Sequence, residues 1–448
     1  MNQQTATRPN ILFIVSDDQG WGDLPANWKD SDVLMPVLDR IAQQGVRFTN
    51  YHTEPLCGPS RACLFTGQYS MENGMWRGPG GKPGKPGYRG IKKDVKMLPE
   101  FLQETGYTTG CFGKWHLGAH DGEVPNDRGF DEYYGFLGGA HHYHLKSDSK
   151  MMLHNKTQYC EEAHATDYFT NKAMDFIRQS AASASPFFCY VAYNAVHGPL
   201  WTEEKPVSSA PEAWLQKAAA RGIDFPHRDY VATLEHMDYN IGQMLDLLRE
   251  CGVAKNTLIV FVSDNGAVTF RNEAGAPSQY PGDNGPLRGG KATTFQGGLN
   301  VPCLMSWGER FPEGLVLSDN IMHADIFATL FDAAGISVPS INGKNPVHGI
   351  SLLPHIVSGG RQHVPERTMF FELWGNIGVR KDNYKLWCKI KSNRANWKQH
   401  VAELQDTNLQ LFDLGSDIGE TKDLSTELPE VYAELKQELI EFLSNINE

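Results

Sequence analysis

The chain has 448 residues, 40% hydrophobic and 21% charged, an ordinary globular composition that is long enough for one large domain and one smaller one. Its 41 basic and 53 acidic residues leave a formal charge of −12, which excludes global attraction to nucleic acid or an anionic membrane but not a local basic pocket. Eight cysteines without a C-x-x-C pair exclude a disulfide scaffold, and no apolar stretch approaches a transmembrane length.

The opening "MNQQTATRPN" lacks a charged segment followed by an apolar core, so no secretory leader is visible. As it stands the chain is expected in the cytoplasm, or in the periplasm or outside the cell if a leader has been removed. "NILFIVSDDQG" predicts a strand over Ile11–Val15, ending at Asp17 and Asp18. "CGPSRACLFTG" predicts a helix starting near Cys57, with Pro59 at an early position where its missing N–H is not needed and Arg61 adding fixed positive charge. "GPGGKPGKPGYRG", Gly78 to Gly90, is a loop by composition. Its Lys82, Lys85 and Arg89 read first as solvated charges and second as the rim of an anionic pocket.

Three more apolar runs end in polar groups. "YTTGCFGKWHLG" leads into Lys114 and His116, "PFFCYVAYNAVHGP" into Asn194 and His197, and "TLIVFVSDNG" into Asp264 and Asn265. Continuous apolar runs without alternation indicate strands covered on both faces, as in a parallel sheet. Between the last two, Arg228–Glu250 carries Tyr230, Leu234, Met237, Ile241, Leu245 and Leu248 on one stripe, which reads as core packing. Strands alternating with helices predict an α/β fold with a large, mostly parallel central sheet sandwiched by helices. Ligands in such sheets bind beyond the carboxyl ends of the strands, where these polar groups converge. After residue 365 short alternating pieces such as "NIGVRKDNYKLW" and a helix from about Glu427 predict a small α+β domain with an antiparallel sheet, dividing the chain into 1–365 and 366–448.

Asp17-Asp18 and Asp264-Asn265, brought together, make an oxygen-rich site for a hard divalent cation, Ca²⁺ or Mg²⁺. Taken singly, each pair reads first as the cap of a turn or helix, and the two pairs together favour the metal site. Lys291 in "LRGGKATTFQGG" reads as a flexible loop lysine, and His197 as a surface or structural histidine. "HHYH", His141 to His144, is a poor zinc site, because adjacent residues of a strand point to opposite faces.

"CGPSRACLFTG" resembles the maturation and active-site signature of the type I sulfatases, members of the alkaline phosphatase-like superfamily. "PNILFIVSDDQGWGD", "GKWHLG", "HGP", "VSDNG" and "LRGGKATTFQGGLNVP" match the family's other blocks in order, and "HADIFATLFDAAGI" and "LQLFDLGSDIGETKDL" its later ones. Ala292 departs from a frequent glycine, and Ile418 from a frequent proline. The resemblance implies that a maturation enzyme converts Cys57 to formylglycine. The hydrated aldehyde attacks the sulfur of a bound sulfate ester, and its second hydroxyl later expels sulfate.

The resemblance further implies that Asp17, Asp18, Asp264, Asn265 and modified Cys57 bind Ca²⁺, with Mg²⁺ as the alternative. Arg61 and Lys114 hold the formylglycine oxygens, His116 is the base, and Lys114, His197 and Lys291 bind sulfate, with His197 or Lys291 protonating the leaving alcohol. The expected activity is sulfuric-ester hydrolysis. The alternatives are a phosphodiesterase or phosphonate monoester hydrolase of the same superfamily, and a dead binding module, which the filled catalytic positions oppose. Sulfated carbohydrate is the expected substrate rather than lipid, for want of a membrane-facing amphipathic helix. His141, His142, His144 and Trp201 are candidates to line the sugar pocket.

Overall fold

The computed structural model of the chain describes residues 8–81, 85, 88–147, 149, 151–183, 185–198, 209–224, 227–268, 282–391, 396–406 and 409–446. Its centre is a ten-stranded sheet. The four apolar runs form parallel strands Asn10–Ser16, Thr108–Lys114, Phe187–Ala192 and Thr257–Ser263. The first strand lies between the third and the fourth, with Val15 opposite both Ala192 and Val262. The Thr108–Lys114 strand pairs with Phe187–Ala192 on the far side. Because the four run parallel in register, their polar tails emerge at one edge, on either side of the place where strand order reverses.

Both faces of the sheet are covered, which is why these strands carry no polar alternation. Ile11, Phe13 and Val15 enter one core, against the buried Cys57–Thr66 and His323–Ala333 helices. Leu12 and Ile14 enter the other, against helices Ala165–Ala181 and His227–Glu250. The predicted stripe holds, since Leu234, Met237, Ile241, Leu245 and Leu248 are buried there. Tyr230 packs against the same core, and in addition its hydroxyl donates to Asp23 Oδ2 at 2.5 Å and lies 3.5 Å from the Asp18 carbonyl. The helix therefore also braces the loop after the first strand.

The C-terminal region folds as an antiparallel meander of Met369–Leu373, Asn376–Lys381, Tyr384–Lys389 and Gln410–Asp413, flanked by helices Trp397–Asp406 and Pro429–Asn445. Leu373 pairs with Asn376 across Trp374-Gly375, whose φ values of 53° and 78° suit a two-residue turn of the twist that hairpins favour.

Candidate active site

Cys57 opens a ten-residue helix in which every residue is buried and which Gly67 ends at φ 69°. Burial pushes the Cys57 thiol up to about 12 against the pull of Lys114 and Lys291, so an unmodified thiol here stays protonated at neutral pH. One helical turn on, Arg61 is fully buried and faces the same way. Its Nε and Nη2 donate to Asp264 Oδ2 at 3.0 and 2.7 Å, and its Nη1 to the Lys114 carbonyl at 3.3 Å and the Tyr190 hydroxyl at 3.4 Å. Four donor contacts fix the guanidinium.

The strand ends converge on the helix start. Lys114 Nζ donates to Asp17 Oδ2 at 2.5 Å, with both side chains wholly buried. Asp18, at φ 64°, takes Lys291 Nζ at 2.6 Å on Oδ1 and 2.8 Å on Oδ2, and Asn265 Nδ2 at 2.8 Å. His197 Nε2 stands 3.8 Å from Asp18. Burial opposes ionisation of Asp17, yet Lys114, His197, Arg61 and Lys291 together hold its carboxyl far below the usual range. Burial and the Asp17 charge push Asp264 the other way, against Arg61.

Ligand atoms of Asp17, Asp18, Cys57 and Asp264 lie within 4.8 Å of one another. Asp17 Oδ1 and Asn265 Oδ1 are buried and have no hydrogen-bond partner. Orphaned oxygens among crowded carboxylates fit a hard divalent cation, which would satisfy both and offset the mutual repulsion. A second group, His164, Asp167 and His236, joins helices Ala165–Ala181 and His227–Glu250, with His236 Nε2 2.7 Å from Asp167 Oδ1. It does not fit a cation, since both His164 nitrogens are engaged, Nδ1 by the Thr166 amide and Nε2 by the Ser209 carbonyl. Neither group contains His141, His142 or His144.

His116 has φ 58°, and burial, then Lys114 and Arg61, hold its pKa well below the ordinary value, so the ring is neutral. Its Nδ1 is buried without a partner. His197 is half-buried in a turn that Tyr143 clamps, its hydroxyl donating to the Asn194 and His197 carbonyls at 2.8 and 3.0 Å. Lys291 is no flexible lysine. Its amide donates to Ala267 O at 3.0 Å, the next amide to Pro55 O at 2.8 Å, and Asp18 holds its ammonium.

The loop is also held from the C-terminal region. Buried Glu420 takes the Gln296 amide at 2.7 Å and Lys385 Nζ at 2.5 Å, and its carbonyl takes Arg288 Nη1 at 2.6 Å. All the sequence-derived catalytic and metal candidates thus gather in one site. His142 is exposed on the loop that carries Tyr143. Trp201 lies outside the described residues, as does Lys82. Tyr143, Tyr190 and Glu420 carry no sequence signal for this site: Tyr143 stands among the histidines of "HHYH", and Tyr190 lies inside the apolar run of its strand.

The family model for sulfatases matches residues 9–336. The chain belongs to the sulfatase family. It is a sulfuric ester hydrolase of alkaline phosphatase-like fold, as the signature implied. N-acetylgalactosamine-6-sulfatase of Mus musculus is 31% identical to this sulfatase over 459 residues, covering 93% of this chain and 82% of that protein. Arylsulfatase G of Homo sapiens is 30% identical over 485 residues, covering 98% and 87%. Among solved structures, Ps i-CgsB in complex with k-i-k-neocarrahexaose superposes with a TM-score of 0.82 at 28% identity, covering 98% of this chain and 94% of that one. The phosphonate monoester hydrolase SpPMH from Silicibacter pomeroyi, at 17% identity and a TM-score of 0.67, shares the fold alone, with coverage of 98% and 96%. No helix among the described residues is long and apolar enough to cross a membrane.

Proposed function

We propose that this sulfatase releases sulfate from a sulfated carbohydrate, with a formylglycine made from Cys57 by a maturation enzyme and a Ca²⁺ ion, Mg²⁺ being the alternative, held by Asp17, Asp18, Asp264, Asn265 and the modified Cys57. The observation that carries the reading is the buried Cys57 enclosed by three carboxylates with orphaned Asp17 and Asn265 oxygens beside it, and by the cations Arg61, Lys114 and Lys291. The carbohydrate assignment is supported by the name of the Mus musculus relative and by the oligosaccharide bound to Ps i-CgsB.

Held by these residues, a cation would supply Lewis-acid polarisation of a sulfate oxygen and of the nucleophile. Arg61 and Lys114 hold the oxygens derived from Cys57, with their own positions set by Asp264 and Asp17. Neutral His116, whose buried Nδ1 has no hydrogen-bond partner, takes the proton of the second hydroxyl derived from Cys57, so that this oxygen re-forms the carbonyl as the bond to sulfate breaks. Lys114 and Lys291 offer N–H donors to sulfate oxygens where charge builds up in transfer. The half-exposed position of His197 supports a role in contacting sulfate and protonating the departing alcohol at Nε2. His142 is assigned to the sugar side of the mouth, as is Trp201, for which no structural account is offered. Residues 1–365 carry the chemistry in this reading, and 366–448 brace the Lys291 loop.

Sulfate release from N-acetylgalactosamine 6-sulfate and from a sulfated galactose disaccharide, before and after chelation, tests the reading. Turnover of a sugar sulfate that stops on chelation and returns with Ca²⁺ is expected. Turnover that persists through thorough chelation would refute the cation, and hydrolysis of aryl sulfates alone would refute the carbohydrate.

A further inference from the structure

His197 ends a four-residue turn that starts at Asn194 and is closed by its amide donating to the Asn194 carbonyl at 2.9 Å. The middle of the turn is zipped to the end of the first strand: the Asp17 amide donates to Ala195 O and the Val196 amide to Asp17 O, both at 2.7 Å. Those two bonds hold the middle of the turn and leave its last residue, whose side chain is 26% exposed, to be placed by another element. The Tyr143 hydroxyl does so. It reaches the Asn194 carbonyl at 2.8 Å and the His197 carbonyl at 3.0 Å, so one donor spans both ends of the turn.

Tyr143 is itself a fixed anchor. It is buried, its carbonyl takes the Ala165 amide at 2.7 Å where helix Ala165–Ala181 begins, and its ring packs against that of His164 with centroids 5.6 Å apart. The next two residues, His144 and Leu145, pair antiparallel with His164 and Ala163. Burial, then the charges of Asp17, Asp229 and Asp18, push the phenol well above its ordinary pKa, so the hydroxyl is a permanent donor. On His197 itself, Nδ1 lies 3.2 Å from the Gly198 carbonyl, which can only accept. Nδ1 therefore keeps its proton, and Nε2, 3.8 Å from Asp18, is the nitrogen that gives one up.

We infer that Tyr143 is a positioning residue for the acid of this reaction, its hydroxyl setting the His197 turn so that Nε2 meets the departing alcohol. The inference rests on the role given to His197 above. As the bond between sulfur and the ester oxygen breaks, its electron pair stays on that oxygen, which takes the Nε2 proton and leaves a neutral imidazole. An ester of an acidic alcohol leaves with little help from that proton, and an ester of a weakly acidic one needs most of it. Losing the Tyr143 hydroxyl therefore shows as sensitivity to the leaving group, which loosened packing does not produce.

The test measures kcat on 4-nitrophenyl sulfate and on phenyl sulfate, whose alcohol is the poorer leaving group. It uses full-length, formylglycine-bearing, Ca²⁺-loaded enzyme, its Tyr143→Phe and His197→Ala variants, and the two combined. Tyr143→Phe keeps the ring and removes only the hydroxyl. Its kcat is expected to fall on the order of tenfold on phenyl sulfate and less than about twofold on 4-nitrophenyl sulfate, a part of the roughly hundredfold or more that a general acid contributes. In the combined variant, turnover of phenyl sulfate is expected to match that of His197→Ala alone, because a residue acting through His197 adds nothing once the ring is gone. Equal losses on the two esters, an unchanged kcat on phenyl sulfate, losses that add in the combined variant, or a Tyr143→Phe protein that does not fold would overturn the assignment. Inactivity of the unsubstituted enzyme on both esters strikes the sulfatase reading and the inference with it. Equal losses on both esters in His197→Ala strike the acid role of His197, whereas a leaving-group-sensitive His197→Ala beside an insensitive Tyr143→Phe strikes only the positioning role.

Discussion

Ala292 stands next to Lys291 at φ 66°, in the left-handed region where a Cβ costs roughly 1–2 kcal/mol. This gives a physical sense to the residue at which the chain departs from its family's frequent glycine. Ala→Gly at an ordinary position costs about 0.5–1 kcal/mol. Ala292→Gly is instead expected to leave the unfolding midpoint unchanged or raise it, and a loss of the ordinary size in a urea titration would contradict the strain. Arg61 offers the opposite case. Its removal in Arg61→Ala strands wholly buried Asp264, and a loss of about 3–5 kcal/mol is expected. Stability within about 1 kcal/mol of the parent would mean that Asp264 is neutral in the fold. Asp17, Asp18, Lys114, His116, His197, Asp264 and Asn265 were legible because each follows an apolar run, and Cys57, Arg61 and Lys291 because they stand in the family's signature blocks. Tyr143 was not, since its work is done through carbonyls 51 and 54 residues away.

At the scale of elements, the Lys291 loop depends on the C-terminal meander. Glu420 bonds both ends of that loop, through Arg288 and Gln296, and forms a fully buried pair with Lys385. Glu420→Ala is expected to cost about 3–5 kcal/mol and to lower kcat/KM, whereas Glu420→Leu with Lys385→Met restores stability without restoring activity. Recovery of both together would detach the loop from Glu420.

The neighbouring seam is pH-sensitive. Buried His52 accepts from Arg380 Nη1 at 2.6 Å, and burial, then Arg380, hold its pKa well below 6.5. The unfolded chain takes up a proton on this histidine as pH falls through about 6.5 while the folded chain does not, so stability falls as pH drops below that value. His52→Gln is expected to flatten the decline between pH 7 and 5 in thermal unfolding. An unchanged slope would assign it to other groups. None of these pairings was legible, because local patterning carries no signal for partners as far apart as Arg288 and Glu420. Three of the four strands were legible for the converse reason: a strand buried on both faces declares itself in five consecutive apolar residues, as in Ile11–Val15, Phe187–Val191 and Leu258–Val262.

For the whole molecule, parallel register does what motif spacing cannot. It brings Asp17, Lys114, His197 and Asp264 to one edge, although they lie along nearly 250 residues of sequence, and the Cys57 helix closes the floor. The sheet, the site and the small C-terminal sheet were legible from apolar runs and the family signature together.

The most direct test of the account is the rate on 4-nitrophenyl sulfate, set beside the matching phosphodiester and phosphonate. It uses protein co-expressed with a formylglycine-generating enzyme and a Cys57→Ala control. Sulfate ester turnover well above that of both phosphorus esters, and absent from Cys57→Ala, is the predicted result. Turnover that survives in Cys57→Ala, or a preference for the phosphorus esters, would contradict it.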